Sequence, residues 1–270
     1  PQPLPILKGI LQWTGGQPFL TQKLCQQVMQ TVEQSEIAHL QIPPGMESFW
    51  VDDLVKTQML DHWEAHDEPV HLRTIRDRLF WNANCTGRLL GIYQQLLQDE
   101  VVPLDDSREQ IELLLSGLVV RQGNQLAIKN PIYRHVFNAE WVNQQLNQLR
   151  PYAAAINGWL ASQRQDRTYL LRDQSLLDAQ LWAQDKSLSD VDYQFLAASQ
   201  DAERQRIQQQ LEAQQESERF FRQLAEAVPQ IVWIAEPDGT LSYANQQVSN
   251  SLGRSLTDIK AWKWVDIIHP

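Results

Sequence analysis

Ser107–Lys129, SREQIELLLSGLVVRQGNQLAIK, is the stretch that organises the reading of this chain. Ser107 followed three residues later by Gln110 is a capping box: the hydroxyl accepts from the third amide and the glutamine reaches back to the serine amide. A short helix is therefore predicted from Glu109 to Leu115. Behind it, Gly117-Leu118-Val119-Val120-Arg121 and Gln125-Leu126-Ala127-Ile128-Lys129 are strand-like runs around Gln122-Gly123-Asn124, which predicts a hairpin. Toward the N-terminus, periodicity predicts helices from about Pro69 to Trp81 and from Thr86 to Leu97. The second turns Leu89, Leu90, Tyr93, Leu96 and Leu97 inward. The segment thus reads as three helices followed by a β-hairpin.

That is the order of elements in a winged-helix domain. Before it, residues 1–40 read as helical with a break at Thr14-Gly15-Gly16-Gln17-Pro18, where the glycines end one helix and Pro18 opens the next. Phe19, Leu20, Leu24, Val28 and Val32 share a face of the second helix. Pro43-Pro44-Gly45 is a loop, and a helix is expected from about Glu47 to His66 with Phe49, Leu54, Val55, Met59 and Trp63 inward.

After the hairpin, residues 131–200 read as helical, with Trp141, Leu146, Leu149, Tyr152, Ile156, Trp159 and Leu160 on one face. Ser187-Leu188-Ser189-Asp190-Val191-Asp192 contains two overlapping S-x-x-D boxes that start a helix. No breaker then appears until Pro229. With Ile207 at heptad position d, the a and d positions are Ala197, Gln200, Arg204, Ile207, Leu211, Gln214, Glu218, Phe221, Ala225 and Val228. Half are polar, so the expectation is a marginal two-stranded coiled coil, set against a solvated single-helix linker. From Phe220 to Pro270 the sequence predicts an amphipathic helix, a strand pair turning at Asp238-Gly239 and short helices. Ile231, Trp233, Ala235, Leu241 and Tyr243 are placed on the buried face of that pair. Too few strands follow to close a sheet, and Pro1 is not an initiator, so the chain reads as an internal piece of a larger protein.

Composition excludes several classes of function. Residues 1–150 carry 12 Lys/Arg against 17 Asp/Glu and residues 151–270 carry 11 against 16, so each half stands at -5. Neither half offers the basic footprint of a nucleic-acid binder, and the helix after Ser107 presents Glu109 and Glu112 beside Arg108. No apolar run is long enough to cross a bilayer and no signal peptide is present. Cys25 and Cys85 read as buried thiols of a reducing cytosol. No G-x-x-x-x-G-K-[ST] loop and no G-x-S-x-G motif occurs, so no catalytic residue is nominated. His62 and His66, with Glu64 and His71 nearby, could face a metal but lack the H-E-x-x-H order, and they are read as surface histidines.

The strings WTGGQPFLTQKLCQ, DEPVHLRTIRDRLF, GRLLGIYQQLLQ, LLLSGLVV and PIYRHVFNAEWV resemble the lid and winged helix of AAA-like, STAND-type regulatory ATPases in bacterial signalling proteins. FFRQLAEAVPQIVWIAEPDGTLSYAN resembles the first half of a PAS sensor domain. The implied fold class is mainly α with small β elements: a winged-helix domain, a helical connector with a long signalling helix, and a truncated α+β PAS domain. The implied boundaries are 1–66 for a lid remnant, 67–140 for the winged helix, 141–199 for the connector, 200–219 for the signalling helix and 220–270 for the PAS half.

By the same resemblance, Gly16 and Pro18 would lie near a nucleotide, and Trp233 and Asn245 would line a PAS pocket or close its second strand. His269 is read as an ordinary helix-end residue. ATP would be a cofactor of the parent only if a phosphate-binding loop lies upstream, and the PAS cofactor is open. The chain would be cytoplasmic. It would dimerise through the signalling helix and PAS domain and act on ATPase and output domains of its own protein, the output a histidine kinase or a cyclic-dinucleotide cyclase. The alternatives are a non-catalytic interaction scaffold and a winged-helix transcription regulator.

Overall fold

The computed structural model describes residues 3–34, 42–43, 45–61, 63–67, 70–238 and 240–253. The protein is mainly helical and carries two small antiparallel sheets. It divides into two compact units, Pro1–Asp201 and Ala202–Pro270.

In the first unit, α1 (Pro3–Thr14) and α2 (Pro18–Gln34) are separated by the predicted break, with Pro18 at the first position of α2. They are followed by α3 (Glu47–Val55), a π-helical turn (Lys56–Leu60) and α4 (Trp63–His66). The expected continuous helix from Glu47 to His66 is therefore interrupted: the Asp61 amide donates to the Lys56 carbonyl, five residues back, at 2.9 Å. The phase also differs from expectation. Val51, Leu54, Val55 and Met59 are buried, whereas Phe49 is 64% exposed. Residues two positions apart on a helix point about 200° apart, so Phe49 and Val51 cannot both face inward.

Next come α5 (Leu72–Phe80), α6 (Thr86–Leu97), α7 (Arg108–Leu115), β1 (Val119–Gln122) and β2 (Gln125–Ile128). The hairpin pairs Val119 with Ile128 and Gln122 with Gln125. An edge segment joins it: Leu126 N donates to Val102 O at 2.9 Å and Leu104 N to Asn124 O at 3.1 Å. Ser107 caps α7 as its sequence predicts, accepting from Gln110 N at 3.3 Å. The reciprocal half of the box is absent. Asp105 Oδ1 takes the Ser107 amide at 2.9 Å, while the Gln110 amide clamps the edge segment through Pro103 O at 2.9 Å and Asp105 N at 3.1 Å.

Short helices follow: α8 (Pro131–Val136), α9 (Ala139–Leu149), α10 (Ala153–Ala161) and α11 (Asp173–Ala183). Asn130 and Asn138 cap α8 and α9, accepting from Tyr133 N and Trp141 N at 2.9 Å each. One apolar cluster runs from Ile6 and Ile10 through Leu20, Val51, Leu90, Tyr93, Leu118, Leu126 and Phe137 to Leu146. The hairpin and the helices before and after it are thus built on a shared core.

The long helix α12 (Asp190–Ala227) starts in the first unit and runs into the second. Its extent matches the breaker-free stretch of the sequence. At 1.5 Å per residue its 38 residues span about 57 Å. In the second unit it is followed by β3 (Trp233–Ala235), β4 (Leu241–Ala244) and α13 (Gln246–Leu252), over a small core of Leu241, Ala244 and Val248. Trp233 pairs with Ala244 across the hairpin. Ile231 and Trp233, expected on the buried face, are both about half exposed; the buried positions lie on β4 instead. Gly239 and the motifs SLTDI and WVDIIHP, with His269, lie outside the described residues.

Candidate protein-interaction surfaces

The residues singled out in the sequence fall in two places. Gly16 is left-handed (φ +71) with open space where a Cβ would stand, and Pro18 opens α2 next to it. The tighter position is Gly15, also left-handed (φ +56), whose Cβ would come within 2.8 Å of the Lys129 carbonyl. In the second unit, Trp233 is 46% exposed on β3. Asn245 is fully buried: Oδ1 accepts from Val232 N at 3.0 Å, and Nδ2 donates to Ala225 O and Gln230 O at 2.8 Å each. Its backbone amide donates to Val232 O at 2.9 Å. One side chain, directly after β4, thus ties together the last turn of α12, the loop after it and the entry to β3.

His62 lies outside the described residues. Of its neighbours, Glu64 accepts from Arg76 at 3.3 Å, and the His71 ring sits 2.8 Å from the Tyr133 hydroxyl and 4.6 Å, centre to centre, from Phe19. Burial lowers the His71 pKa, against the opposing pull of Asp67, and raises that of Tyr133 to about 12. Among the described residues no three His, Cys, Asp or Glu side chains are placed to hold a metal. Cys25 and Cys85 are free thiols, the second pushed upward in pKa by burial and then by Glu109.

Three further features stand out. The first is the root of α12. Arg150 and Asp192, both buried, meet with Nη2 donating to Oδ2 at 2.8 Å and Nε 2.7 Å from Oδ1, an ion-pair contact out of line for a hydrogen bond. Ser189 and the Tyr152 hydroxyl donate to the same carboxylate at 2.5 and 3.1 Å. Burial and that carboxylate raise the Tyr152 pKa, so the phenol stays a donor. Gly91 allows the close approach, since a Cβ there would meet Ser189 Cβ at 2.5 Å. On the surface above, Arg88 pairs with Asp190.

The second is the middle of α12. Residues 207–224 are all exposed, including Ile207, Leu211, Phe220, Phe221 and Leu224. The third is a groove of about 470 Å³ between α5 and α7, lined by Thr74, Asp77, Arg78, Trp81, Glu112 and Leu115. Trp81 at its lip is 88% exposed. The middle of α12 is the stretch whose heptad pattern predicts a coiled-coil seam, whereas the other two features carry no signal in the sequence. Trp81 looked like the end of an apolar-periodic helix, and no local motif links Arg150 to a residue 42 positions away.

No protein-family model matches the chain, and no solved structure does. The chain is similar to an uncharacterized WD repeat-containing protein of Synechocystis sp., with 46% identity over 200 residues. The match covers 74% of this chain and 16% of the relative, so the chain spans about one sixth of that protein's length. This finding overturns the assignment to a STAND-type ATPase fused to a PAS domain, and with it the role as a segment of a two-component sensor histidine kinase. The motifs behind that assignment have local explanations. The glycines and proline at residues 15–18 end one helix and start another. Asn245 spends its amide on backbone groups at the end of α12. The chain is similar to a protein named for WD repeats, while its own described residues form helices and two-stranded hairpins.

Proposed function

We propose that this chain is a non-catalytic interaction segment of a larger protein, presenting α12 to a partner helix. The observation that carries the reading is the run 207–224, five turns of helix with every residue exposed and five large apolar side chains among them. Helices of that length are marginal in water without tertiary packing. Pairs within the helix, Glu203 with Arg206 and Glu218 with Arg222, each at 2.6 Å, add only about 0.2–0.5 kcal/mol apiece. A helix partner would cover Ile207 and Leu211.

The similarity to a WD repeat-containing protein supports the same class. A 200-residue stretch of a 270-residue chain includes residues 71–200 wherever it begins, and those residues are helical with one two-stranded hairpin. A WD repeat is a four-stranded propeller blade. The shared stretch is then a helical part accompanying the repeats rather than a set of blades. Within it, residues 67–140 form a winged-helix module used for protein contact, supported by three helices, a hairpin and the edge segment at residues 102–104. Residues 141–199 form a helical connector, and residues 200–219 the linker that leads away from it.

The partner for α12 is a second copy of the chain. In a parallel, in-register pair, Ile207 and Leu211 meet their own counterparts, and the flanking positions Gln208, Gln210 and Gln215 bring no like charges together. Glu218, at a seam position, is neutralised by Arg222 of its own helix. Sedimentation equilibrium is expected to show a mass rising with concentration toward that of two chains. Replacing Ile207 and Leu211 together by Glu is expected to weaken association by at least about 100-fold, since each burial is worth about 1.5–3 kcal/mol. A wild-type chain that stays monomeric at about 100 μM, a concentration at which even a weak pair would be populated, rejects the second copy as partner.

A further inference from the structure

The groove between α5 and α7 belongs to the first unit, whereas the exposed run of α12 belongs to the second, and the chemistry of the groove is more specific. Tryptophan is rarely left almost wholly in water, and a Trp beside a concavity is the usual anchor of a protein contact. Trp81 follows the last turn of α5 and lines the groove together with Leu115 of α7.

The polar lining is unevenly paired. Arg76, next to the groove, is held by Glu64 at 3.3 Å and by Asp77 at 2.8 Å. Arg78, the one cation among the described residues lining it, donates to the Leu115 carbonyl and so caps the end of α7. Asp77 already has Arg76. Among the described residues Glu112 has no ion-pair partner, and it is half-buried beside an exposed indole. An aromatic face next to an unpaired carboxylate attracts a cation twice, through the ring quadrupole and through charge.

We propose that this groove docks a basic, apolar-flanked segment of a partner protein, with one lysine or arginine seated on Trp81 and facing Glu112. Apolar residues of that segment would cover Leu115 and the methyl of Thr74. A second copy of this chain is the poorer occupant here, since each copy carries a net charge of -10 and would bring acid to acid. The inference keeps the class of interaction segment but does not depend on α12 pairing.

The test is fluorescence anisotropy of two labelled peptides against the whole chain: acetyl-Leu-Lys-Ala-Leu-Lys-Ala-Leu-amide and the same peptide with glutamate in place of lysine. The lysine peptide is expected to bind and the glutamate peptide not. Trp81→Ala is expected to weaken binding about tenfold, the size of a partly desolvated cation–π contact, and Glu112→Gln about threefold. Trp81 is exposed, and Glu112→Gln keeps the size and shape of a half-buried side chain, so neither variant threatens the fold. Equal binding of the two peptides, binding unchanged in Trp81→Ala, or no binding of either overturns the proposal. Repeating the titration on the doubly substituted Ile207/Leu211 variant reads the groove separately: binding retained there, whatever the oligomeric state, leaves the groove standing alone.

Discussion

Asp67 shows how much one side chain can organise. Buried before the first turn of α5, its carboxylate accepts from His71 N at 3.0 and 3.1 Å, Leu72 N at 3.0 Å and Arg73 N at 2.7 Å. Those are the amides a helix start leaves without partners. Asp67→Ala is expected to lower stability by about 2 kcal/mol, the upper end for a lost cap, measured by urea denaturation. His71, which follows it, adds a pH dependence. Its folded pKa lies below the ordinary 6.5, so between the two values the unfolded chain binds the extra proton. Stability then rises with pH across that interval, is fully present above 6.5, and is lost as pH falls toward the folded value. The difference in unfolding free energy between wild type and His71→Gln is expected to narrow or reverse from pH 7.5 to pH 5, because the variant lacks this proton uptake. Asp67 was legible as charge at a helix start. Phe49 was not placed correctly, because five apolar residues within one predicted helix cannot all share a face once the helix is short and a π turn shifts its phase.

At the scale of elements, the root of α12 and its far end are each held by a single polar hub. A buried ion pair rarely adds net stability, yet removing one partner strands the other. Arg150→Met is therefore expected to cost about 3–5 kcal/mol, while Arg150→Met with Asp192→Leu recovers most of that loss in thermal denaturation. At the other end, Asn245→Ala leaves the Val232 amide and the Ala225 and Gln230 carbonyls without their partner, each worth about 1–3 kcal/mol if buried. Faster hydrogen exchange is expected at the amides of β3 and β4, with no change in the core around Tyr93. The length of α12 was readable because nothing between Asp190 and Ala227 breaks a helix. The Arg150–Asp192 hub was not, because its partners are brought together only by the packing of α6, α9 and α12.

Across the whole molecule, the balance of helix and hairpin followed from periodicity and turn chemistry, and the network of caps at Ser107, Asn130 and Asn138 shows why. Each is a local rule satisfied locally. Function did not follow in the same way. Helix breaks, a three-helix-and-hairpin order and a buried asparagine at a strand end are solutions that unrelated chains reach for the same physical reasons, so they indicate architecture better than ancestry or task. What distinguishes this chain lies on its surface, in exposed side chains: Trp81 with Glu112, and Ile207 and Leu211 on α12.

The buried clasp of Arg150, Ser189 and Asp192 also makes α12 a dial. With its first turn locked in rotation, the bearing of the rest of its first-unit stretch follows at about 100° per residue, which is how the buried Phe195 ring comes to lie against Tyr152 and Trp159. Inserting one residue between Asp192 and Phe195 would swing that ring about 100° out of the core, so a loss of thermal stability comparable to deleting a large core side chain is expected.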